Sequence, residues 1–493
     1  MVKKRPRGRR GDAVELLELA LNSHAIDLLS RRDVCTLRAT NQFFRQLVAE
    51  RSSEIRFALP VNALTFGRSI SALSNAFPSA RHVCVDANDG ATPPRAPMVI
   101  QEQLASILSR LAVFRELSSL TMSGVYELPS LVPLFEVYMR LRTLSVECLG
   151  WASVAPCTPL ISAPRSACFA LGALEELRVT YFGTDIGIGA AMRAAPNLRV
   201  LSVGITGVGD QDVESTDEAY GRLWLEVASS LPFVQNLRSL SLDGFLDDNS
   251  VSALAGALPA ATALRYLSFV GRGTEGSLGF SPIGACALAT ALPSLKVLST
   301  LELLGGAGIG DTGAEAFAAA LPALPRLAVL GLSLMEEAES SFRIGAAGTE
   351  ALAAALLRHT PRLEMLALDG HIYGEVGSAA LAALLRHRPL LRSAELCDGD
   401  PGSSALIVEI CSSLMPLGSG SLDCLESVAL SSRGSQAVER ISLLASCVAA
   451  GSLPALRFLS IRHDLFDESE KRIAALRRRF PRTLENLALW AKH

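Results

Sequence analysis

Residues 237–258 read LRSLSLDGFLDDNSVSALAGAL. Leu237, Leu240 and Leu242 follow an L-x-x-L-x-L rule, and across Leu240, Ser241 and Leu242 apolar and polar residues alternate as a strand requires. The period then changes. Asn249-Ser250 opens VSALAGAL, where apolar residues recur at the spacing of one helix face, and the Asp and Asn before that run supply N-caps. The stretch therefore encodes one short strand followed by one helix.

The same signature extends in both directions. Copies begin at Leu117, Leu141, Leu174, Leu198, Leu237, Leu264, Leu298, Leu327, Leu363, Leu391, Leu425, Leu456 and Leu484, with a degenerate one at Ala80-Val83-Val85 set apart by the Pro-rich ATPPRAP at 91–97. Successive copies from Leu117 are 24, 33, 24, 39, 27, 34, 29, 36, 28, 34, 31 and 28 residues apart, so short and long units alternate for much of the chain. Between them lie further helical runs: AEAFAAAL after Asp311-Thr312-Gly313, TEALAAALLRH after Gly348, and SAALAALLRH after Gly377, with Pro322, Pro361 and Pro389 as stops. One strand-helix unit cannot bury its apolar face alone, but stacked neighbours form a continuous core. Leucine supplies 81 of 493 residues, which fits one repetitive body better than several unrelated folds.

These residues resemble the leucine-rich repeat family, in particular its ribonuclease-inhibitor-like class. The resemblance implies an α/β solenoid, curved, with parallel strands on the concave side and helices on the convex side. The chain departs from that pattern where asparagine or cysteine is usual, three residues after the last strand leucine: here stand Phe245, Gly306 and His371, preceded by Gly244, Gly305 and Gly370. Irregular turns are expected there. The expected division is a basic tail at 1–12, a small helical module at 13–58, a linker with a degenerate first repeat or cap at 59–116, and the solenoid at 117–493.

Charged residues make up 19% of the chain and the formal net charge is -3, which excludes global disorder. Six cations within the first ten residues suit a solvated tail or a nuclear localisation signal. No secretory signal and no stretch of about 18 uncharged apolar residues is read. The ten cysteines show no C-x-x-C pair, and they read as buried thiols in a reducing compartment, cytosol or nucleus.

Strand alternation places the residues between the inward leucines on the open face of the sheet. Many are small, among them Ser202, Ser241, Ser268, Gly331 and Ala367. Larger groups beside them, Tyr266, Met365, Phe458 and Trp490, with the charges Arg178, Asp243, Glu302, Asp369 and Glu395, form the expected partner surface. Arginines at 142, 199, 238, 265, 392 and 457 occupy the position just before the strand, either lining an anionic partner or marking a solvated turn. Two long loops, 151–168 and 271–284, are placed to carry specificity.

Residues 14–56 do not follow the repeat and read as two or three short helices. The run LLSRRDVCTLRATNQFFRQLV resembles the central and C-terminal part of an F-box. That likeness implies that Leu28, Leu29, Val34, Leu37, Phe43 and Phe44 build a small core and part of a face for the Skp1 adaptor. The opening Leu-Pro of that family has no counterpart beside Leu16-Leu17. A helical cap over the end of the solenoid is the alternative.

Gly308-Ile309-Gly310-Asp311-Thr312-Gly313 fits G-x-G-x-x-G, but similar glycine-bearing turns at 345–348 and 374–377 mark it as a repeat turn and not a dinucleotide site. His359 and His387 precede prolines at helix ends, where positive charge suits the helix dipole. No P-loop, zinc-protease or nucleophile-elbow motif is present. The expectation is a non-catalytic scaffold without cofactor or metal, binding proteins and neither a small-molecule substrate, a membrane nor nucleic acid. With the F-box likeness it implies a substrate-recognition subunit of a Skp1-cullin ubiquitin ligase. The alternatives are a general binding scaffold, or a regulator of another enzyme such as a GTPase activator, whose N-terminal helices only cap the solenoid.

Overall fold

The computed structural model describes residues 54–58, 81–86, 116–125, 140–148, 171–181, 187–205, 213–271, 279–334, 340–398, 405–414, 424–432, 437–450, 453–463, 477–481, 484 and 486–491. The tail at 1–12 and nearly all of the helical module, including Leu28, Leu29, Val34, Leu37, Phe43 and Phe44, lie outside these residues.

Fifteen strands form one sheet in strict sequence order, and every neighbouring pair is parallel. They are β1 Glu54–Ala58, β2 His82–Asp86, β3 Ser119–Val125, β4 Thr143–Cys148, β5 Glu176–Tyr181, β6 Val200–Ile205, β7 Ser239–Gly244 and β8 Tyr266–Gly271. The series continues with β9 Thr300–Gly305, β10 Val329–Ser333, β11 Met365–His371, β12 Ser393–Asp398, β13 Ser427–Ser432, β14 Phe458–His463 and β15 Asn486–Ala491. The thirteen leucine copies supply β3 to β15, and the degenerate copy at Ala80 supplies β2, with Val83 opposite Leu120 and Val85 opposite Met122. Strand β1 corrects the expected module boundary: Glu54–Ala58 is extended and pairs in register with β2, so the last five residues assigned to the helical module belong to the sheet.

From β5 to β14 a helix lies between consecutive strands: α1 Ile188–Ala194, α2 Val213–Ser230, α3 Asp248–Ala257, α4 Pro282–Ala291, α5 Gly310–Ala320, α6 Ala346–His359, α7 Gly374–Arg386, α8 Ala405–Leu414 and α9 Ala437–Ala449. Neighbouring helices need about 8–10 Å between axes, whereas strands need about 4.8 Å. With one helix per strand over β5 to β14, the helical layer takes more room along the stack than the sheet does. The core lies between the layers. Leu237, Leu240, Leu242, Leu254 and Leu258 of the founding stretch are all fully buried, and each buried leucine side chain contributes roughly 1.5–3 kcal/mol.

Helices end on Leu-Pro turns at Leu231–Phe233, Leu258–Ala260, Leu292–Ser294 and Leu321–Ala323. The leucine stays in the core, while proline lacks the N–H that would continue the helix. Pro322 stops its helix in this way, and Pro361 and Pro389 follow the C-terminal residues of α6 and α7.

Helix starts differ from the sequence expectation. Asp247 caps its own helix by accepting the Ser250 N–H at 2.9 Å. Asp248, one residue on, serves the next repeat: its Oδ1 accepts the N–H groups of Ser281 at 2.8 Å and Gly284 at 2.9 Å, and its Oδ2 accepts the Ser281 hydroxyl at 2.7 Å. Asp311 does the same, its Oδ1 taking the N–H groups of Gly345 at 2.7 Å and Gly348 at 2.9 Å at the start of α6. A carboxylate at the positive end of the following helix is favourable, and it satisfies donors that lack partners within the helix. Glycine is required opposite it, because a Cβ at Gly284 would lie 2.7 Å from Asp248 Oδ1 and one at Gly348 2.5 Å from Asp311 Oδ1. The contacts α4–α5 and α6–α7 use packing instead, with Gly313 against the Ala285 Cβ and Gly377 against the Thr349 Cβ. Strand-to-helix connections alternate in step: 245–247, 306–309 and 372–373 are short, while 206–212, 272–281, 334–345 and 399–404 are long.

The turns without asparagine are held by other groups. His371 is fully buried, and Trp224 Nε1 donates to the Phe245 carbonyl at 2.6 Å. The Gly306 N–H donates to the Gly271 carbonyl at 3.0 Å. Gly305 and Gly370 adopt positive φ, 81° and 82°, as these sharp exits from the strands require.

Candidate functional site

The open face of the sheet presents three rows of side chains set by register. The row nearest the N-terminal ends of the strands runs through Glu176, Val200, Ser239, Tyr266 and Thr300 to Met365, Ser393, Ser427 and Phe458. The middle row runs Arg178, Ser202, Ser241, Ser268, Glu302, Gly331, Ala367, Glu395, Ala429 and Ser460. The far row includes Glu147, Thr180, Gly204, Asp243, Val270, Leu304 and Asp369.

Two expected partner residues meet at the centre. The Tyr266 hydroxyl donates to Glu302 Oε2 at 2.6 Å. Burial raises the Tyr266 pKa above its ordinary value, and the hydrogen bond to Glu302 raises it further. Glu302 lies beside Gly331, where a Cβ would be 3.5 Å from Glu302 Cγ and 3.6 Å from Leu304 Cδ2. The small residues are therefore not a bare floor here: Ser268 and Ala367 are buried, and larger neighbours form the accessible surface.

The apolar anchors are dispersed. Tyr266, Met365 and Phe458 occupy the same row on β8, β11 and β14, three strands and roughly 14 Å apart at the usual strand spacing. Met365 is half-buried and Phe458 is 42% exposed, so Phe458 offers the larger apolar surface. Trp490 lies on β15 opposite Arg462, and its side chain falls outside the described ones. Arg178 bonds Glu176 on its own strand instead of standing as an isolated charge. Asp243, Asp369 and Glu395 are half-buried on β7, β11 and β12. With Glu147, Glu176 and Glu302 they make the face acidic, since Arg178 is the only arginine or lysine among the described side chains of these rows.

The leading edge of the sheet, at the N-terminal ends of the strands, is basic. Arg81 pairs with Glu116 at 3.5 Å, Arg142 and Arg199 with Glu175 at 3.7 and 3.0 Å, and Arg392 with Glu426 at 3.7 Å. A cleft of about 590 Å³ on this edge is lined by Arg81, Glu116, Ser118, Arg140, Arg142 and Ala173. The sequence reading missed Arg81 and Arg140, although Arg81 precedes its strand as Arg142 does.

The glycine motif holds no phosphate cradle. A Cβ at Gly308 would meet the Phe342 ring at 2.3 Å, one at Gly310 would meet Pro282 at 2.9 Å, and one at Gly313 would meet Ala285 at 2.8 Å, so neighbouring repeats fill this turn. His359 closes α6 and His387 follows α7 at its C-terminus. Of the two loops expected to carry specificity, 151–168 lies outside the described residues, and the end of the other is structural: Phe280 is buried and Ser281 caps α4. Among the described cysteines Cys397, Cys411 and Cys447 are buried, Cys84 and Cys286 are half-buried and Cys424 is exposed, so burial is less general than the sequence suggested. No group of three His, Cys, Asp or Glu among the described residues is placed to hold a metal ion. No helix among them is long and apolar enough to cross a membrane.

Compared with known proteins, the chain matches no protein-family model and no curated protein.

Proposed function

We propose that this chain is a non-catalytic protein-binding scaffold of the leucine-rich repeat type, working in the cytosol or nucleus, whose concave sheet face holds a partner protein. The observation that carries this reading is the face itself: many parallel strands in one register, with rows of partly exposed acidic, small and aromatic side chains. A long, rigid surface of this kind matches another protein better than a small ligand, which takes a concave pocket that buries most of its surface. In this reading Tyr266 and Phe458 are apolar anchors, and the acids give electrostatic preference for a partner with basic groups.

The F-box-like segment extends the reading to a substrate-recognition subunit of a Skp1-cullin ubiquitin ligase, with residues 13–53 docking Skp1 and the concave face presenting the substrate. The experiment is binding of purified Skp1 to the full chain and to a Leu29→Asp, Phe43→Asp variant. Binding that the variant loses supports the adaptor role. No binding by the full chain discards it and leaves the scaffold.

One observation favours the second reading, in which the N-terminal helices only cap the solenoid of a general scaffold or of a regulator such as a GTPase activator. Strand β1 is the first in the sheet order, and in the sequence it directly follows the F-box-like segment. A cap predicts that the Leu29→Asp, Phe43→Asp variant unfolds at lower urea than the parent, while an adaptor face predicts little change.

A further inference from the structure

We propose that the leading edge of the sheet, from Arg81 on β2 to Arg265 on β8, is a second binding surface whose ligand is an extended acidic segment of a partner protein. The proposal rests on the reading of the chain as a protein-binding scaffold, and adds to it a place and a chemistry.

The backbone fixes the edge. Each carbonyl at this position accepts two N–H groups from the next strand: Glu175 O takes Arg199 N at 2.7 Å and Val200 N at 3.0 Å, Arg199 O takes Arg238 N at 2.7 Å and Ser239 N at 3.0 Å, and Arg238 O takes Arg265 N at 2.8 Å and Tyr266 N at 3.0 Å. Arg199, Arg238 and Arg265 therefore project from consecutive rigid rungs, about 4.8 Å apart. Their side chains are exposed, and those of Arg238 and Arg265 have no partner among the described residues. Arg81, Arg140 and Arg142 extend the series around the cleft. On β9, β10 and β11 the same position holds Ser299, Ala328 and Glu364, which part this run from Arg392 and Arg457 on β12 and β14, themselves separated by Glu426.

Arg81 and Arg142 hold their partners loosely, whereas Arg199 hydrogen-bonds Glu175 at 3.0 Å. The pairs of Arg81 and Arg142 measure 3.5 and 3.7 Å, and those arginine side chains are 63% and 68% exposed. Exposed pairs of this kind contribute about 0–1 kcal/mol, so an incoming carboxylate displaces them at little cost. Guanidinium groups bind carboxylates through paired N–H donors.

An acidic peptide fits better than a nucleic acid. Beside the edge lie His82, Ser119, Thr143, Glu176, Val200, Ser239 and Tyr266; the five successive rungs from Ser119 to Ser239 offer no ring on which a base could stack, and the Tyr266 hydroxyl is held by Glu302. Glu175 stands between Arg142 and Arg199, where a uniform run of phosphates would meet repulsion and a peptide can place an uncharged residue. An extended peptide carries alternate side chains on one side roughly every 6.6 Å, close enough to the rung spacing for flexible arginines to match. The acidic face below repels such a peptide and confines it to the edge.

The test is fluorescence anisotropy of a labelled peptide of alternating Glu and Gly against the full chain. We expect binding that weakens as salt is raised, falls about tenfold or more in an Arg199→Glu, Arg238→Glu, Arg265→Glu variant, and falls less in an Arg238→Gln, Arg265→Gln variant. The Gln pair also gives the readout if the triple variant fails to fold. Absence of binding by the parent, equal binding by the parent and the Gln pair, or tighter binding of an oligothymidylate than of the peptide overturns the proposal. Skp1 binding measured on the same preparations separates the two readings: Skp1 bound without peptide overturns this inference alone.

Discussion

His371 Nδ1 accepts the backbone N–H of Ile344 at 3.1 Å, and since that nitrogen accepts, the proton sits on Nε2, which donates to the Leu332 carbonyl at 2.9 Å. One neutral imidazole thus ties the end of β10, the turn before α6 and its own strand together. Burial pushes its pKa down from 6.5 to about 4, and the nearby Arg343 charge adds to the effect.

Because the folded state holds this histidine unprotonated, stability is full above pH 6.5 and is lost as pH falls toward 4. Between pH 7 and pH 5 the contribution is about 2 kcal/mol, from the difference in protons bound by unfolded and folded chains. Urea unfolding at the two pH values should show a larger drop for the parent than for His371→Asn, which keeps an acceptor and a donor without titrating. His371→Leu should lose ~2–4 kcal/mol at pH 7, since the Ile344 N–H and the Leu332 carbonyl then lack their partner. Equal pH dependence in parent and His371→Asn would remove the histidine from this account.

Asp311→Ala deprives Gly345 and Gly348 of their acceptor and should cost about 1–3 kcal/mol, with Asp248→Ala close to it. The two sites stand on different helix pairs, so the double variant should show the sum of the single effects in chemical denaturation. Gly348→Ala should be as harmful as Asp311→Ala, because its Cβ would displace the same carboxylate.

Two glycines should respond in opposite directions. At Gly305 φ is 81° and a Cβ would lie 2.2 Å from the Gly271 carbonyl oxygen, so Gly305→Ala should destabilise by more than ~2 kcal/mol. Gly256 lies within helix α3 with nothing within 4 Å of its Cβ position, and Gly256→Ala should stabilise by ~0.5–1 kcal/mol. Thermal unfolding of the two variants reads both.

Thiol labelling should follow burial. Cys424 is exposed, and Cys424→Ser should remove one fast-reacting equivalent with a disulfide reagent. Cys411 is buried, and burial together with neighbouring Cys447 pushes its thiol pKa upward, so Cys411→Ser should leave the fast phase unchanged.

Much of the architecture was legible because a leucine ladder leaves a local mark: each L-x-x-L-x-L copy specifies its own strand, and the Leu-Pro pairs mark their own helix ends. Strand β1 was hidden, since EIRFA has the alternation of Ile55 and Phe57 but no leading leucine to set it in the series. The cross-repeat caps were hidden for a different reason. Asp248 and Asp311 look like caps for the helices they sit in, and their real partners lie 33 to 37 residues ahead. Of the open face, the rows followed from period two alone, whereas the contact of Tyr266 with Glu302 depends on how one side chain leans across a strand. The basic edge was half visible, through Arg142 and its counterparts, and needed the fold to bring Arg81 and Arg140 beside them.

The carboxylate links join α3 to α4 and α5 to α6, whereas α4 to α5 and α6 to α7 meet through small side chains. Two kinds of joint alternate, so the unit of growth in this part of the molecule is a pair of repeats. Removing one repeat would set two carboxylate acceptors, or two glycine N–H donors, next to each other, while removing two would leave every joint matched. Lengthening or shortening this stretch by even steps is therefore the route that preserves its seams, for a designer splicing repeats as much as for gene duplication.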